Sequence, residues 1–251
     1  MRIEDNWRGN SDQIKRGINY TKVQPTPLED PYVALLSQDC MNMIGLDERK
    51  QSAVGDDLLA EYLAGNKLFP GSDPLASCYC GYKFGYFVGQ LGDGRAISLG
   101  DVSQVGDADW GSEGSLLDLQ LKGSGVTPYS RGKNGRTTVK AAVREFLASE
   151  AMHYLGIPTT RAASMVVSEK TNVVLDKFYS EKPKEKCAVV LRVAPTLLRF
   201  GNFEIFNPVS QVTSKAGPSE GLKEEMMPPM LDYLLKNFYS EIDQSVEGDD
   251  E

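Results

Sequence analysis

Histidine is nearly absent from this chain: His153 is the single one in 251 residues. Cysteine is scarce too, with four at positions 40, 78, 80 and 187. The one closely spaced pair, Cys78-x-Cys80, has no second Cys or His pair to complete a zinc tetrahedron. That argues against a structural zinc site and excludes a disulfide-scaffolded miniprotein, and reduced, partly buried thiols in an intracellular protein are the better reading. No stretch approaches the roughly 18 uninterrupted apolar residues that a spanning helix needs, which excludes a membrane span. The opening MRIEDNWRGN carries acids and no apolar run, so it reads as neither a signal peptide nor a clear transit peptide. Positive charge is not in excess either. Lys and Arg number 27 against 35 Asp and Glu, for a net charge of −8, which argues against a nucleic-acid binder.

What is present suits a folded protein. A hydrophobic fraction of 41% and a charged fraction of 25% can bury a sizeable core, as one large domain or two small ones. The negative charge is local. Residues 218–251 hold ten acids and two bases and account for all of it, so the acidic end reads as a solvated tail, Asp249 and Asp250 included. Between Leu119 and Arg144 the balance reverses. Lys122, Arg131, Lys133, Arg136, Lys140 and Arg144 stand there without one acid, a local field that suits a bound polyanion such as a nucleotide.

Residues 1–30 are polar and end in the proline-punctuated VQPTPLEDP. Short helices are expected over 32–46 and 52–64. Strands are expected over 82–90 and 95–102, joined by Leu91-Gly92-Asp93-Gly94 as a tight hairpin turn. Residues 116–122 alternate, with Leu117, Leu119 and Leu121 on one face and Asp118, Gln120 and Lys122 on the other. A loop with an Asn134-Gly135 turn follows. The strongest helix spans 138–155, with Val139, Val143, Phe146, Leu147, Tyr154 and Leu155 at helical spacing, a cap at Thr137 or Thr138, and a stop at Gly156. Strands over 162–176, with a hairpin turn near 169–171, and over 187–194 come next. A loop over 207–229 leads to a last helix over 230–242. The order describes a sheet with one helix packed on it, followed by the start of something else.

Three features in this order carry chemistry. The turn Gly92-Asp93-Gly94-Arg95 brings backbone N–H groups near a phosphate, with Arg95 to neutralise it. Lys122 ends the polar face of a strand, and Glu145 lies in the next helix. A strand Lys paired with a helix Glu is how protein kinases hold ATP phosphates. Taken singly, the turn is more simply a hairpin, Lys122 a solvated strand end and Glu145 a surface carboxylate; in this order the nucleotide reading is better. Arg192 and Arg199, on either side of Pro195, suit a bidentate grip on phosphate or, equally, pairing with local carboxylates. His153 lacks a nucleophile or metal partner nearby in sequence.

At LKGSGVTPYSRGKNGRTTVKAAVREFLASEAMHYLGIPTTRA (residues 121–162) the sequence closely resembles the selenoprotein O family of kinase-like protein adenylyltransferases. GQLGDGRA (89–96), LRVAPTLLRFGNFEIF (191–206), AGPSEG (216–221) and NYTKVQPTPLEDP (19–31) resemble it as well, and AGPS looks more like the eukaryotic branch. The resemblance covers the chain from about residue 18. It implies a kinase-like fold that binds ATP in a flipped orientation and transfers AMP to Ser, Thr or Tyr hydroxyls of proteins, with Mg as cofactor, in the mitochondrion. Carried over residue by residue, it implies nucleotide contacts at Gly92, Gly94, Arg95, Lys122, Asn134, Gly135, Arg192 and Arg199, with Glu145 as the ion-pair partner of Lys122. Asn134-Gly135 stands where the family has Asp-Gly, and Gly81-Tyr82-Lys83-Phe84-Gly85 where it has GHQFG.

The fold expected is therefore α+β: a protein-kinase-like N-lobe, an antiparallel sheet plus one main helix, over residues 71–207. An N-terminal extension over 1–70 precedes it, and a loop, the first helix of a C-lobe and the acidic tail over 208–251 follow it. By the resemblance, the catalytic Asp and the metal ligands lie beyond Glu251, so this chain carries the nucleotide-binding half and alone transfers no AMP. The alternative is a non-catalytic nucleotide-binding module or decayed copy. A conventional protein kinase ranks third. Two distances follow from the leading reading. Lys122 and Glu145 stand within roughly 4 Å, and Arg95, Lys122, Arg192 and Arg199 converge on one cleft beside the 92–94 turn.

Overall fold

The computed structural model describes residues 1–9, 14–106, 110, 114–174, 184–239 and 242. Before the central strands come β1 (Ile3–Glu4), β2 (Tyr20–Lys22), β3 (Pro31–Leu36), α1 (Gln38–Met43), α2 (Glu48–Val54) and α3 (Asp56–Ala64). Then follow β4 (Leu75–Ser77), β5 (Cys80–Lys83), β6 (Tyr86–Gln90), β7 (Ala96–Ser103), β8 (Leu116–Lys122), β9 (Thr137–Thr138) and α4 (Val139–Tyr154). The rest is β10 (Arg161–Val174), β11 (Lys184–Ala194), α5 (Phe200–Phe203), α6 (Lys223–Met226) and α7 (Pro228–Phe238). One mixed sheet runs β1-β2-β4-β7-β8-β11-β10-β3, with β9 added to β11. Only the β1–β2 pair is parallel among the described pairs. No helix among the described residues is long and apolar enough to cross a membrane.

The alternation in β8 decides how the layers stack. Leu117, Leu119 and Leu121 pack with Leu59, Leu63 and Ala64 of α3 and with Val189, Leu191 and Val193 of β11. On the opposite face Ala188 and Val190 of β11 join Ala162, Met165 and Val167 of β10 beneath Ala142 and Phe146 of α4. A strand covered on both faces needs a continuous apolar run, and residues 187–191 supply one, each fully buried. Residues 1–70 are part of this arrangement: β2 pairs with β4, and β3 pairs with β10.

Several elements differ from the sequence expectation. Residues 32–46 are not one helix. Tyr32, Val33, Leu35 and Leu36 pair with β10 as a strand, and only then does α1 begin. Tertiary pairing outweighs the helical spacing here. The helix expected over 52–64 is two, broken at Gly55, whose φ of 82° is outside the helical range. Residues 82–90 form the hairpin β5–β6, turning at Phe84 and Gly85, both at positive φ. Consequently 91–94 is not the tip of a hairpin; it is where the chain passes from β6 to β7, in the other sheet. Near 169–171 there is a bulge in β10, not a hairpin: Val167 opposes Ala188 while Asn172 opposes Lys186. Ser168 Oγ holds that bulge by accepting from the N–H groups of Lys170 and Thr171. Asp176 lies outside the described residues. The loop over 207–229 contains α6, and the last helix starts at Pro228, where a missing N–H costs nothing.

Helix α4 is capped as expected, Thr138 Oγ1 accepting from Ala141 N–H at 3.4 Å. Its buried side is different. Ala142, Phe146, Ser149 and Glu150 face inward, whereas Leu147, Tyr154 and Leu155 are exposed. Glu150 is the inward carboxylate. Its Oε1 accepts from Arg161 Nε and Ala162 N–H, both at 2.9 Å, and its Oε2 from Arg161 Nη2 at 2.8 Å and Ser37 Oγ at 2.5 Å. The four cysteines are free and buried, and burial pushes the thiols of Cys40, Cys78 and Cys80 up to about 12, so they are poor nucleophiles.

The β7–β8 register sets Asp101 directly opposite Asp118. Asp118 Oδ1 is buried without a hydrogen-bond partner. Burial, with the Asp101 charge second, pushes its carboxyl up to about 7. A carboxyl raised in the folded state costs stability as pH rises from its ordinary range through that value. Asp118→Asn should therefore stabilise the protein at pH 8, on the order of 1–3 kcal/mol. The gain should shrink as pH falls towards 4. Thermal melts of both proteins at several pH values check this.

Candidate anion-binding site

The loop after β8 is built on close backbone contacts. Gly125 N–H donates to Gly135 O at 3.2 Å, and a Cβ on Gly135 would stand 1.8 Å from Gly125 O. The 92–94 turn is held against the same loop. Thr127 Oγ1 donates to Asp93 O at 2.6 Å and Ser130 Oγ to Gly94 O at 2.5 Å. Tyr129 is fully buried behind the turn, and a Cβ on Gly92 would lie 2.2 Å from its ring. Glycine is needed there for room as well as for a φ of 72°. Two of the turn's N–H groups are not available to a phosphate. Gly92 N–H donates to Tyr79 O and Asp93 N–H to Ser77 O, because the passage between the two sheets uses them.

Between turn, loop and sheet lies a cavity of about 390 Å³. All eight residues expected at a nucleotide site line it: Gly92, Gly94, Arg95, Lys122, Asn134, Gly135, Arg192 and Arg199. Arg131, Lys133 and Arg136 from the acid-free stretch line it too, so seven bases face one carboxylate, Asp93. Asn134 Oδ1 is turned to its own loop, accepting from Arg136 N–H at 3.0 Å. Arg136 is held from outside, donating from Nη2 to Pro27 O at 2.6 Å.

Glu145 stands beneath the bases. Its Oε1 lies 3.2 Å from Lys122 Nζ and 3.3 Å from Arg192 Nε, the latter an ion pair without hydrogen-bond alignment. The register explains the grouping. Arg192 opposes Gln120 and Val190 opposes Lys122, which sets both bases on the face that α4 covers. Arg192 is fixed further by donating from Nη1 to Gln120 Oε1 at 2.9 Å and from Nη2 to Thr160 Oγ1 at 3.3 Å. Burial pulls Lys122 below its ordinary range, opposed by the Glu145 charge, and it lowers Arg192 in the same way. Bases crowded together and partly desolvated attract an anion strongly, since water screens them less.

Sequence reasoning missed Tyr79, Asp93, Tyr129 and Ser130 in this lining. Asp93 is visible in the Gly-Asp-Gly turn, but its burial depends on the fold of residues 77–79 and 127–130. Tyr79 carries no motif; its ring lies 4.6 Å from the Arg199 guanidinium carbon. Among the described residues, no group of three or more His, Cys, Asp or Glu side chains could hold a metal ion.

The family model "Protein adenylyltransferase SelO" matches residues 12–250. The human and mouse proteins named "Protein adenylyltransferase SelO, mitochondrial" are 47% and 46% identical over 227 residues, which is 90% of this chain and 32% of each relative. The "Protein nucleotidyltransferase YdiU" of Aromatoleum aromaticum is 50% identical over 193 residues, 76% of this chain and 35% of that protein. The chain spans about a third of the length of these curated relatives.

Proposed function

Since the chain belongs to the SelO family of protein adenylyltransferases, we propose that it forms the nucleotide-gripping part of an ATP-dependent protein adenylyltransferase. The observation that carries this reading is the convergence of Arg95, Lys122, Arg192 and Arg199 on one cavity, above the Lys122–Glu145 ion pair. The kinase-like fold is part of the proposal. Counting from β4 and passing over the separate hairpin β5–β6, Lys122 stands on the third strand and Glu145 in the helix that follows it. That is the relation by which protein kinases hold phosphates. The relatives' names support adenylyl transfer to protein and the mitochondrion as the compartment; ATP as the donor and hydroxyl groups as the acceptors belong to the proposal.

In this reaction a protein hydroxyl oxygen bonds to the α-phosphorus of ATP, the α–β P–O bond breaks, pyrophosphate leaves, and the hydroxyl proton passes to solvent water. The residues described here bind and orient. Lys122, fixed by Glu145, and Arg192, fixed by Gln120 and Thr160, meet the phosphates with little freedom left to lose. The bases also stabilise the negative charge that grows on the leaving pyrophosphate. Magnesium is not assigned ligands here. The cavity's carboxylate, Asp93, is engaged by Ser77 N–H at 3.1 Å and by Arg199 at 3.5 Å, so these residues do not fit a metal cage.

If the cavity holds a triphosphate, purified residues 1–251 should bind a fluorescent ATP analogue saturably. Inorganic tripolyphosphate should displace it and adenosine should not, and binding should weaken several-fold as salt rises. Displacement by adenosine but not by tripolyphosphate would overturn the assignment.

A further inference from the structure

We propose that Asp93 is a positioning residue for Arg199, so that a negative charge in the wall of a basic cavity strengthens anion binding. This rests on the reading that the cavity holds the triphosphate. Taken alone, an acid at such a site should repel phosphate. The structure gives two reasons why it does the opposite. The Asp93 side chain is 2% exposed and the Arg199 side chain 34%, so the carboxylate lies under the base and the base faces the cavity. The ion pair thus presents its positive end to a ligand.

Asp93 is also held rigidly. Its Oδ2 accepts from Ser77 N–H at 3.1 Å, its own N–H donates to Ser77 O at 2.9 Å, and its carbonyl accepts from Thr127 Oγ1 at 2.6 Å. From that fixed point Oδ1 reaches Arg199 Nη1 at 3.5 Å. Nη1 also donates to Leu197 O at 3.2 Å, and the Tyr79 ring backs the guanidinium at 4.6 Å. Among the described residues both polar contacts of the guanidinium go through Nη1, which leaves Nε and Nη2 for a ligand. An arginine whose planar fork is already immobilised loses less freedom on gripping phosphate. No other residue among those lining the cavity gives Arg199 a carboxylate partner.

The test is a double-mutant cycle read as tripolyphosphate affinity on residues 1–251, using Asp93→Asn, Arg199→Ala and the pair together. Asparagine keeps an acceptor for Ser77 N–H and makes the cavity one charge more positive. Positioning predicts that Asp93→Asn nonetheless weakens binding roughly 5- to 20-fold. With Arg199 already Ala, the same change should no longer weaken binding and should strengthen it, because only repulsion is then removed. Equal or tighter binding by Asp93→Asn with Arg199 present overturns the inference and leaves the cavity assignment standing. Equal weakening in both backgrounds also overturns it, since that is the mark of simple structural damage. If the unaltered protein binds neither tripolyphosphate nor ATP, the reading of the cavity falls and this inference with it. Should Asp93→Asn not melt cooperatively, Asp93→Ser takes its place in the cycle.

Discussion

Lys122→Ala should weaken ATP binding to this chain by roughly 10- to 100-fold, the loss expected for one charge-assisted hydrogen bond. Two effects add. The ammonium group leaves the cavity, and Glu145, which it holds at 3.2 Å, is left with Arg192 at 3.3 Å as its remaining cation. Arg192 is then drawn toward Glu145 and away from a ligand. In a form of the protein that transfers AMP, the same substitution should abolish label incorporation from α-labelled ATP, because an interaction with the reacting phosphates is lost. Titration calorimetry gives the first number and the label assay the second. An affinity within twofold of the unaltered protein would remove Lys122 from the site.

Glu150→Ala should cost about 3–5 kcal/mol of stability, the usual result of removing one partner from a buried ion pair. For a chain of this size that corresponds to a melting temperature lower by about 6–20 °C. The carboxylate receives four hydrogen bonds, and its loss strands the guanidinium of Arg161, which is 4% exposed. Burial alone would raise the Glu150 carboxyl, but the hydrogen bonds from Arg161, Ser37 and Ala162 N–H outweigh it and hold it below the ordinary range. A depressed carboxyl contributes stability that is complete above the ordinary Glu range and disappears as pH falls through the depressed value. The gap between the native protein and Glu150→Gln should therefore be widest near neutrality and close in acid. Melts from pH 7 to pH 3 decide this. A gap that stays constant would show that the charge of Glu150 is immaterial.

The parts of the site legible in the sequence are those that depend on local pattern and order. The alternation of Leu117, Leu119 and Leu121 against Lys122 places β8, and the helical spacing further on places Glu145 in the next helix. The acid-free stretch marks Arg131, Lys133 and Arg136 as a basic field before any fold is known. Long-range packing stays hidden. Nothing local in Tyr32–Leu36 says that β10 will take those residues as a neighbour, so a helix is the reasonable expectation there. Likewise the Gly-Asp-Gly turn reads as a hairpin, because the two-residue turn at Phe84-Gly85 places no glycine or asparagine at its first position. The outward position of Leu147, Tyr154 and Leu155 is invisible for the same reason: helical spacing defines a face but not which side the sheet takes.

The pairing of β3 with β10 also has a temporal side. Leu36 opposes Ser164, so these neighbours are roughly 130 positions apart along the chain. At about 5–20 residues per second of synthesis, β3 leaves the ribosome roughly 6 to 26 seconds before its partner exists. Through that interval a strand of sequence PYVALL has no strand to pair with, and only α1 and α3, made soon after it, can cover its apolar side. β3 is thus made early and paired late.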